Sequence, residues 1–234
     1  MFPIRDDAPR WSFPYITLLL IGVNVAIFLY QFALLLDSPQ LGEAFVETFG
    51  AIPLRASASL EGRYPLLPGV GPLFTSIFLH GGLFHLVGNM WFLWIFGDNV
   101  EDELGHFPYL LFYLGCGVLA SLAHFFANPD STIPSVGASG AIAGVMGAYM
   151  VRFPTARIVT LVWILFFITT IEVPAVLMLF YWFAIQFLSG AATYGDLNST
   201  GGVAWWAHIG GFAAGAILIW FRPRRRRYGR AYDY

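Results

Sequence analysis

Charge is what this chain has least of. Asp, Glu, Lys and Arg together make up 11% of 234 residues, against 58% apolar and 18% aromatic. A water-soluble domain carries roughly a quarter charged residues. With a strongly positive mean hydropathy, the chain is therefore expected to be an integral membrane protein. Lysine is missing altogether, since all twelve basic residues are arginine. Cysteine is reduced to Cys116, inside an apolar run, which excludes an intramolecular disulfide and leaves the redox compartment unread. The first apolar run has no small-residue cleavage site and is long enough to span, so it is expected to stay in the mature chain. Nor is there a nucleic-acid patch. Half the arginines (222, 224–227 and 230) follow directly on an apolar helix, where a basic tail reads as a topology and lipid-headgroup signal.

What is abundant is apolar sequence in span-length pieces. Tyr15 to Leu36 is long enough to cross roughly 30 Å of hydrocarbon at 1.5 Å per residue. Residues 37–71 mix acidic, basic and aromatic side chains and read as a loop with amphipathic pieces at the interface. Further spans are expected over about His80 to Phe96, Tyr109 to Phe126, Ser139 to Val151, Pro174 to Leu188 and Trp205 to Phe221. Residues 152–173 read as a connection at the inner interface leading into the fifth span. The expected fold class is thus an all-α integral membrane bundle of six transmembrane helices. A lead (1–14) precedes the membrane domain (15–221), and a basic tail (222–234) follows it. Six spans put both termini on one side. Arg5, Arg10, Arg152, Arg157 and the tail mark that side as cytoplasmic; the acidic Asp98–Glu103 stretch counts little in this rule.

Polar groups interrupt the even-numbered spans at one depth. His85 lies 13 residues before Asp98, Ser139 lies 13 before Arg152, and His208 lies 14 before Arg222. Each is therefore roughly 20 Å above the inner boundary and on the order of 10 Å below the outer surface. Asn89 follows His85 by one turn on the same face. Ser139 stands in Gly137-Ala138-Ser139-Gly140, with Gly144 one turn on, and the His208 span carries Gly211 and Gly215. Small residues at this spacing let helix backbones approach closely, and they are also how any tightly packed transmembrane helix reads. A lone histidine in a span can equally be a neutral ring bonded to a carbonyl. His80, His85 and His208 lack a nearby carboxylate and a shared helix face, which speaks against zinc. His106 and His124 fit no constellation.

Together these groups suit acyl transfer. Serine needs a base to take its proton, and a neutral His208 within reach can do so and return the proton to the leaving amine. The oxyanion needs donors placed in advance, for which the Ser139 N–H, the His85 ring and the Asn89 amide are candidates. No carboxylate is at hand, so the unit is a Ser–His dyad with no third residue to orient the base.

The motifs His80-Gly81-Gly82 with His85 to Asn89, Gly137-Ala138-Ser139-Gly140, and Ala207-His208-Ile209-Gly210-Gly211 with Gly215 resemble, in order and spacing, those of the rhomboid family of intramembrane serine proteases. The resemblance runs from the first span to the sixth. It implies a rhomboid-like six-helix fold, Ser139 as nucleophile, His208 as base, oxyanion help from His85 and Asn89, and no cofactor or metal. It implies transmembrane proteins as substrates, cut at small residues. Substrate would enter sideways past the fifth helix, lined by Tyr181, Trp182, Phe183 and Phe187, and past the loop before the sixth. The plan without extra helix or soluble domain looks prokaryotic, which implies an inner membrane. Two departures stand out. Ala143 occupies the place of a tyrosine that stacks on the base in some members, and Pro72-Leu73-Phe74-Thr75 lacks a Trp-Arg pair found in the first outer loop of many. A non-catalytic relative that binds membrane segments as a chaperone or scaffold is the alternative, against which stands the presence of both Ser139 and His208. A transporter or channel asks for charge at mid-membrane, and only Glu172 at a helix entry comes near. Substrate identity and oligomeric state are not legible.

Overall fold

The computed structural model describes residues 2–164, 167–192 and 203–224. In chain order it comprises β1 (Phe2–Asp6), α1 (Tyr15–Asp37), α2 (Pro39–Phe49), α3 (Pro53–Leu60), α4 (Leu66–Val70) and α5 (Pro72–Thr75). A 3-10 turn (Ser76–Phe78) leads to α6 (Leu83–Leu104), α7 (His106–Ala127) and α8 (Ser139–Arg152). Then come β2 (Arg157–Ile164), β3 (Phe167–Pro174), α9 (Ala175–Ala192) and α10 (Trp205–Trp220).

The bundle is arranged around α8. Every residue from Gly140 to Tyr149 is buried, and a helix apolar all round belongs in the middle of a packed bundle or a membrane. It is only 14 residues long, or about 21 Å. Its closest partner is α10, with α7 and α6 on other sides. The seam with α10 is made by glycine. A Cβ on Gly211 would run into the Gly140 carbonyl, and one on Gly215 into the Gly144 carbonyl. On the opposite flank, a Cβ on Gly144 would meet Cβ of Cys116 at 2.5 Å. Only bare Cα–H groups allow backbones this near, and they replace side-chain interdigitation with backbone-to-backbone dispersion and weak Cα–H···O contacts.

The outer helices are the inverse. On α1 only Thr17, Leu20, Asn24 and Phe28 are buried, one stripe at helical spacing. Leu19, Leu29 and Leu36 are exposed. On α9 the buried residues are Ala175, Leu179, Gln186 and Gly190, while Leu177, Phe180 and Leu188 are exposed. Among the described residues α1, α7 and α9 are each long and apolar enough to cross a membrane. A fourth crossing exists if Leu66–Phe78 and α6, bent by 72°, form one span, and α10 is a shorter apolar helix. This is a multi-pass helical membrane bundle.

Two features add to the expected plan. β2 and β3 pair antiparallel, and β1 pairs with β2 to give a three-stranded antiparallel sheet in the order β1-β2-β3. Residues 157–174 are rich in β-branched residues, which fit a pleated surface better than a helix. Ile158, Thr160 and Val162 alternate inward. Pro3 is tolerated because β1 is an edge strand, and the register shifts between Pro3 and Arg5. The second feature is α6, which starts at Leu83 and runs on through the acidic stretch read as a connection. Its carboxylates are used there. Glu101 accepts from the Ile16 N–H (2.9 Å), the Thr17 N–H (2.8 Å) and the Thr17 hydroxyl (2.7 Å). It thereby caps α1, where the helix dipole favours an anion. Asp102 accepts from the Ser12 hydroxyl at 2.6 Å, and Asp98 pairs with Arg10 at 2.9 Å. The lead of residues 1–14 is thus fastened to the bundle by strand pairing and by these carboxylates.

Candidate active site

The approach to Ser139 is set by one glycine. Gly137 donates its N–H to the Ser76 carbonyl at 2.9 Å and has φ +130°, a conformation that side-chain-bearing residues rarely take. A Cβ there would lie 2.8 Å from Cε1 and 3.0 Å from Nε2 of His85, and 3.6 Å from the Ser139 Oγ. Gly137 is therefore not part of the α8–α10 seam. It keeps open the space between the serine and the His85 ring.

Ser139 is the first residue of α8. Its backbone N–H is one of the orphan donors of a helix start and lies at the positive end of the helix dipole. The Oγ lies 2.8 Å from Nε2 of His208, on the first turn of α10. The other ring nitrogen, Nδ1, lies 2.6 Å from Oε1 of Gln186 on α9. An amide oxygen only accepts, so Nδ1 carries the proton and Nε2 presents its lone pair to the serine. The ring is also flanked by Trp182 of α9 (centroids 5.8 Å apart, planes at 39°) and by Trp205 (6.3 Å, 89°). Ala143 is buried in α8.

His85 borders the space that Gly137 keeps open, from α6, and Asn89 follows it by one turn of the same helix. His85 is exposed at the mouth of that space. Its Nδ1 accepts the Gly81 N–H at 3.3 Å, which leaves Nε2–H as the donor. Asn89 is 8% exposed, and its Nδ2 is buried with no hydrogen-bond partner among the described residues. A buried donor left unpaired is costly and calls for a reason; an anion formed beside it would supply the missing acceptor. A narrow cavity opens beside Ser139, walled by Gly117, Ala120 and Ala207 with the hydroxyls of Ser76, Ser121 and Ser135.

The remaining sites of the sequence reading fall as follows. Gly140, Gly144, Gly211 and Gly215 lie in the α8–α10 seam. Of the side chains expected along an entry path at α9, Tyr181 and Phe187 point outward. Trp182 and Phe183 turn inward onto Phe212, at 6.1 and 4.8 Å between centroids. Most of the loop expected beside them, residues 193–202, lies outside the described residues. His80 is buried with its ring 5.3 Å from that of His85. His106 pairs with Glu101 at 2.6 Å. Sequence reasoning missed Gln186. Its signal was the one carboxamide in the α9 sequence, a polar group in an apolar helix of the kind that marked Ser139 and His208.

The Rhomboid domain family model matches residues 69–225. The chain belongs to the rhomboid family. Among relatives, Rhomboid protease GluP of Bacillus subtilis (strain 168) is 36% identical over 146 residues, covering 62% of this chain and 25% of that protein. RHOMBOID-like protein 1 of Arabidopsis thaliana is 32% identical over 157 residues, 67% of this chain and 36% of that protein. The mitochondrial presenilin-associated rhomboid-like protein of Homo sapiens is 34% identical over 89 residues, 37% and 24%. This rhomboid thus spans a quarter to about a third of the length of these relatives. The family match takes in α5 to α10, and with them every site residue above.

Proposed function

We propose that this rhomboid is an intramembrane serine endopeptidase that cleaves membrane-anchored proteins in or near their transmembrane segments. The observation that carries the proposal is the 2.8 Å approach of His208 Nε2 to Ser139 Oγ inside a helical membrane bundle. Ser139 attacks the scissile carbonyl carbon while Nε2 of His208 takes its proton. The oxyanion of the tetrahedral intermediate receives hydrogen bonds from the Ser139 N–H, the His85 Nε2–H and the Asn89 amide. His208 then delivers the proton to the leaving nitrogen as the C–N bond breaks. Water, activated by the same base, hydrolyses the acyl-enzyme and restores the serine. No step calls for a cofactor or a metal.

The small-walled cavity beside Ser139 supports small side chains at the cut bond. The exposure of His85 supports water entry from the outer face. In this reading α1, α6, α7, α8, α9 and α10 are the six spans, with both termini cytoplasmic in a prokaryotic inner membrane and the sheet at the inner interface. Partners are transmembrane substrates and the bilayer. The test is cleavage of a single-span reporter protein in proteoliposomes. Wild type should cut it, whereas Ser139→Ala and His208→Ala, folded by thermal melt, should lose at least roughly 10³-fold. Cleavage at the wild-type rate by either variant removes the mechanism.

A further inference from the structure

We propose that Gln186 is the positioning residue of the base: it fixes the tautomer and orientation of His208 from α9. The inference rests on the protease reading for its kinetic consequence, but not for its structural content. The bond is short, 2.6 Å from Oε1 to Nδ1, and Gln186 is 7% exposed in a helix otherwise made of apolar and small residues. A primary amide there is a liability unless its oxygen is used, and the ring N–H is the group that uses it. The tautomer matters because a neutral imidazole carries one proton. With that proton on Nδ1, Nε2 is free to act as base. With it on Nε2, the ring can only donate to Ser139 and catalysis stops.

Gln186 works with Trp182, one turn earlier on the same face of α9. The amide holds the ring edge and the indole leans on the ring at 5.8 Å. The amide also sets a limit that a carboxylate would not. It orients the ring without placing a negative charge beside it. Because α9 meets the bundle along a single stripe, the base is aligned only while α9 is docked against α10.

The experiment compares wild type with Gln186→Met and Gln186→Glu in two readouts. One is the ¹⁵N spectrum of histidine-labelled protein above the ring's titration range, with the His208 signals assigned by difference from His208→Ala. The other is kcat and KM on the reporter substrate across pH. Wild type should show a single Nδ1–H tautomer of His208. Gln186→Met should show mixed tautomers and a kcat lower by roughly 10- to 100-fold, part of the 10²–10⁴ that a positioned acid–base group contributes, with KM within about twofold. Gln186→Glu keeps an acceptor oxygen. It should restore the single tautomer and recover activity, with the acid limb of the pH profile moved to higher pH by the added charge. Unchanged tautomer and kcat in Gln186→Met would overturn the proposal while leaving the protease reading standing. Should Gln186→Met not fold, failure of the folded Gln186→Glu to shift the acid limb would overturn it equally. An inactive wild type whose tautomer still depends on Gln186 would sink the protease reading and leave the positioning role in place.

Discussion

Asn89 Nδ2 is a buried donor with no acceptor among the described residues, one helical turn below a histidine whose Nδ1 is already occupied by the Gly81 N–H. A Cβ at Gly137 would meet Nε2 of His85, so the His85 N–H borders the space that Gly137 keeps empty, and Asn89, on the same helix face, is the proposed second donor to it. If that space holds the oxyanion, Asn89→Ala should lower kcat by about 10²–10³, or about 2.7–4 kcal/mol of transition-state stabilisation, with KM little changed. Steady-state kinetics on the reporter substrate check this, and an effect confined to KM would mean that Asn89 binds substrate rather than the intermediate. At this scale the sequence was readable wherever a polar atom stood out in an apolar helix. Ser139, His208, His85 and Asn89 were found that way. Gln186 obeys the same rule, but a neutral carboxamide is neither the carboxylate nor the stacked tyrosine that marks a partner of the base. Its value depends on the contact of Gln186 with His208, 22 residues apart in sequence, and no periodicity reveals the rotation of α9 and α10 about their axes that brings them together.

The helices divide by how they use glycine. Gly22 of α1 has open space where its Cβ would go, whereas a Cβ on Gly215 would be driven into the backbone of Gly144. Gly215→Ala should therefore cost about 1–3 kcal/mol through overpacking that no rotamer change relieves. Gly22→Ala should be neutral or stabilising by up to about 1 kcal/mol, because alanine is the better helix former. Thermal unfolding in detergent of the two variants beside wild type measures the contrast. Equal effects would mean that the α8–α10 seam is not the close contact described here. The glycine spacing made this seam legible in advance. The sheet was not legible as such: residues 152–173 read as a connection, and β1 joins β2 with Asp6 opposite Ile158, a pairing across some 150 residues that leaves no local mark. Likewise the acidic end of α6 read as a loop, because the groups that neutralise it lie far back in the chain, in Arg10, Ser12 and the first turn of α1.

For the molecule as a whole, that N-terminal sheet is also where pH acts on stability. Asp6 lies in β1, outside the spans. Burial raises its carboxyl to about 7, against the opposing pull of the hydrogen bond from the Tyr149 hydroxyl. Unfolded, the same group titrates near 3.8. Between those values the folded state binds more protons than the unfolded one. Stability should therefore fall as pH rises from about 4 to about 7 and level off above. Asp6→Asn should flatten that slope. Melting temperatures of both proteins across pH 4–8 test it, and an unchanged slope in Asp6→Asn would assign the dependence to another group.

The nucleophilicity of Ser139 is proposed to come from His208 within the membrane bundle. Its most direct measurement is reaction of the purified protein with a fluorophosphonate, followed by mass mapping of the adduct in wild type, Ser139→Ala and His208→Ala. The expected result is one adduct in wild type, on the peptide containing Ser139, and none in either variant. A folded wild type that takes no adduct, or an adduct at Ser139 that forms as fast without His208, would contradict the account.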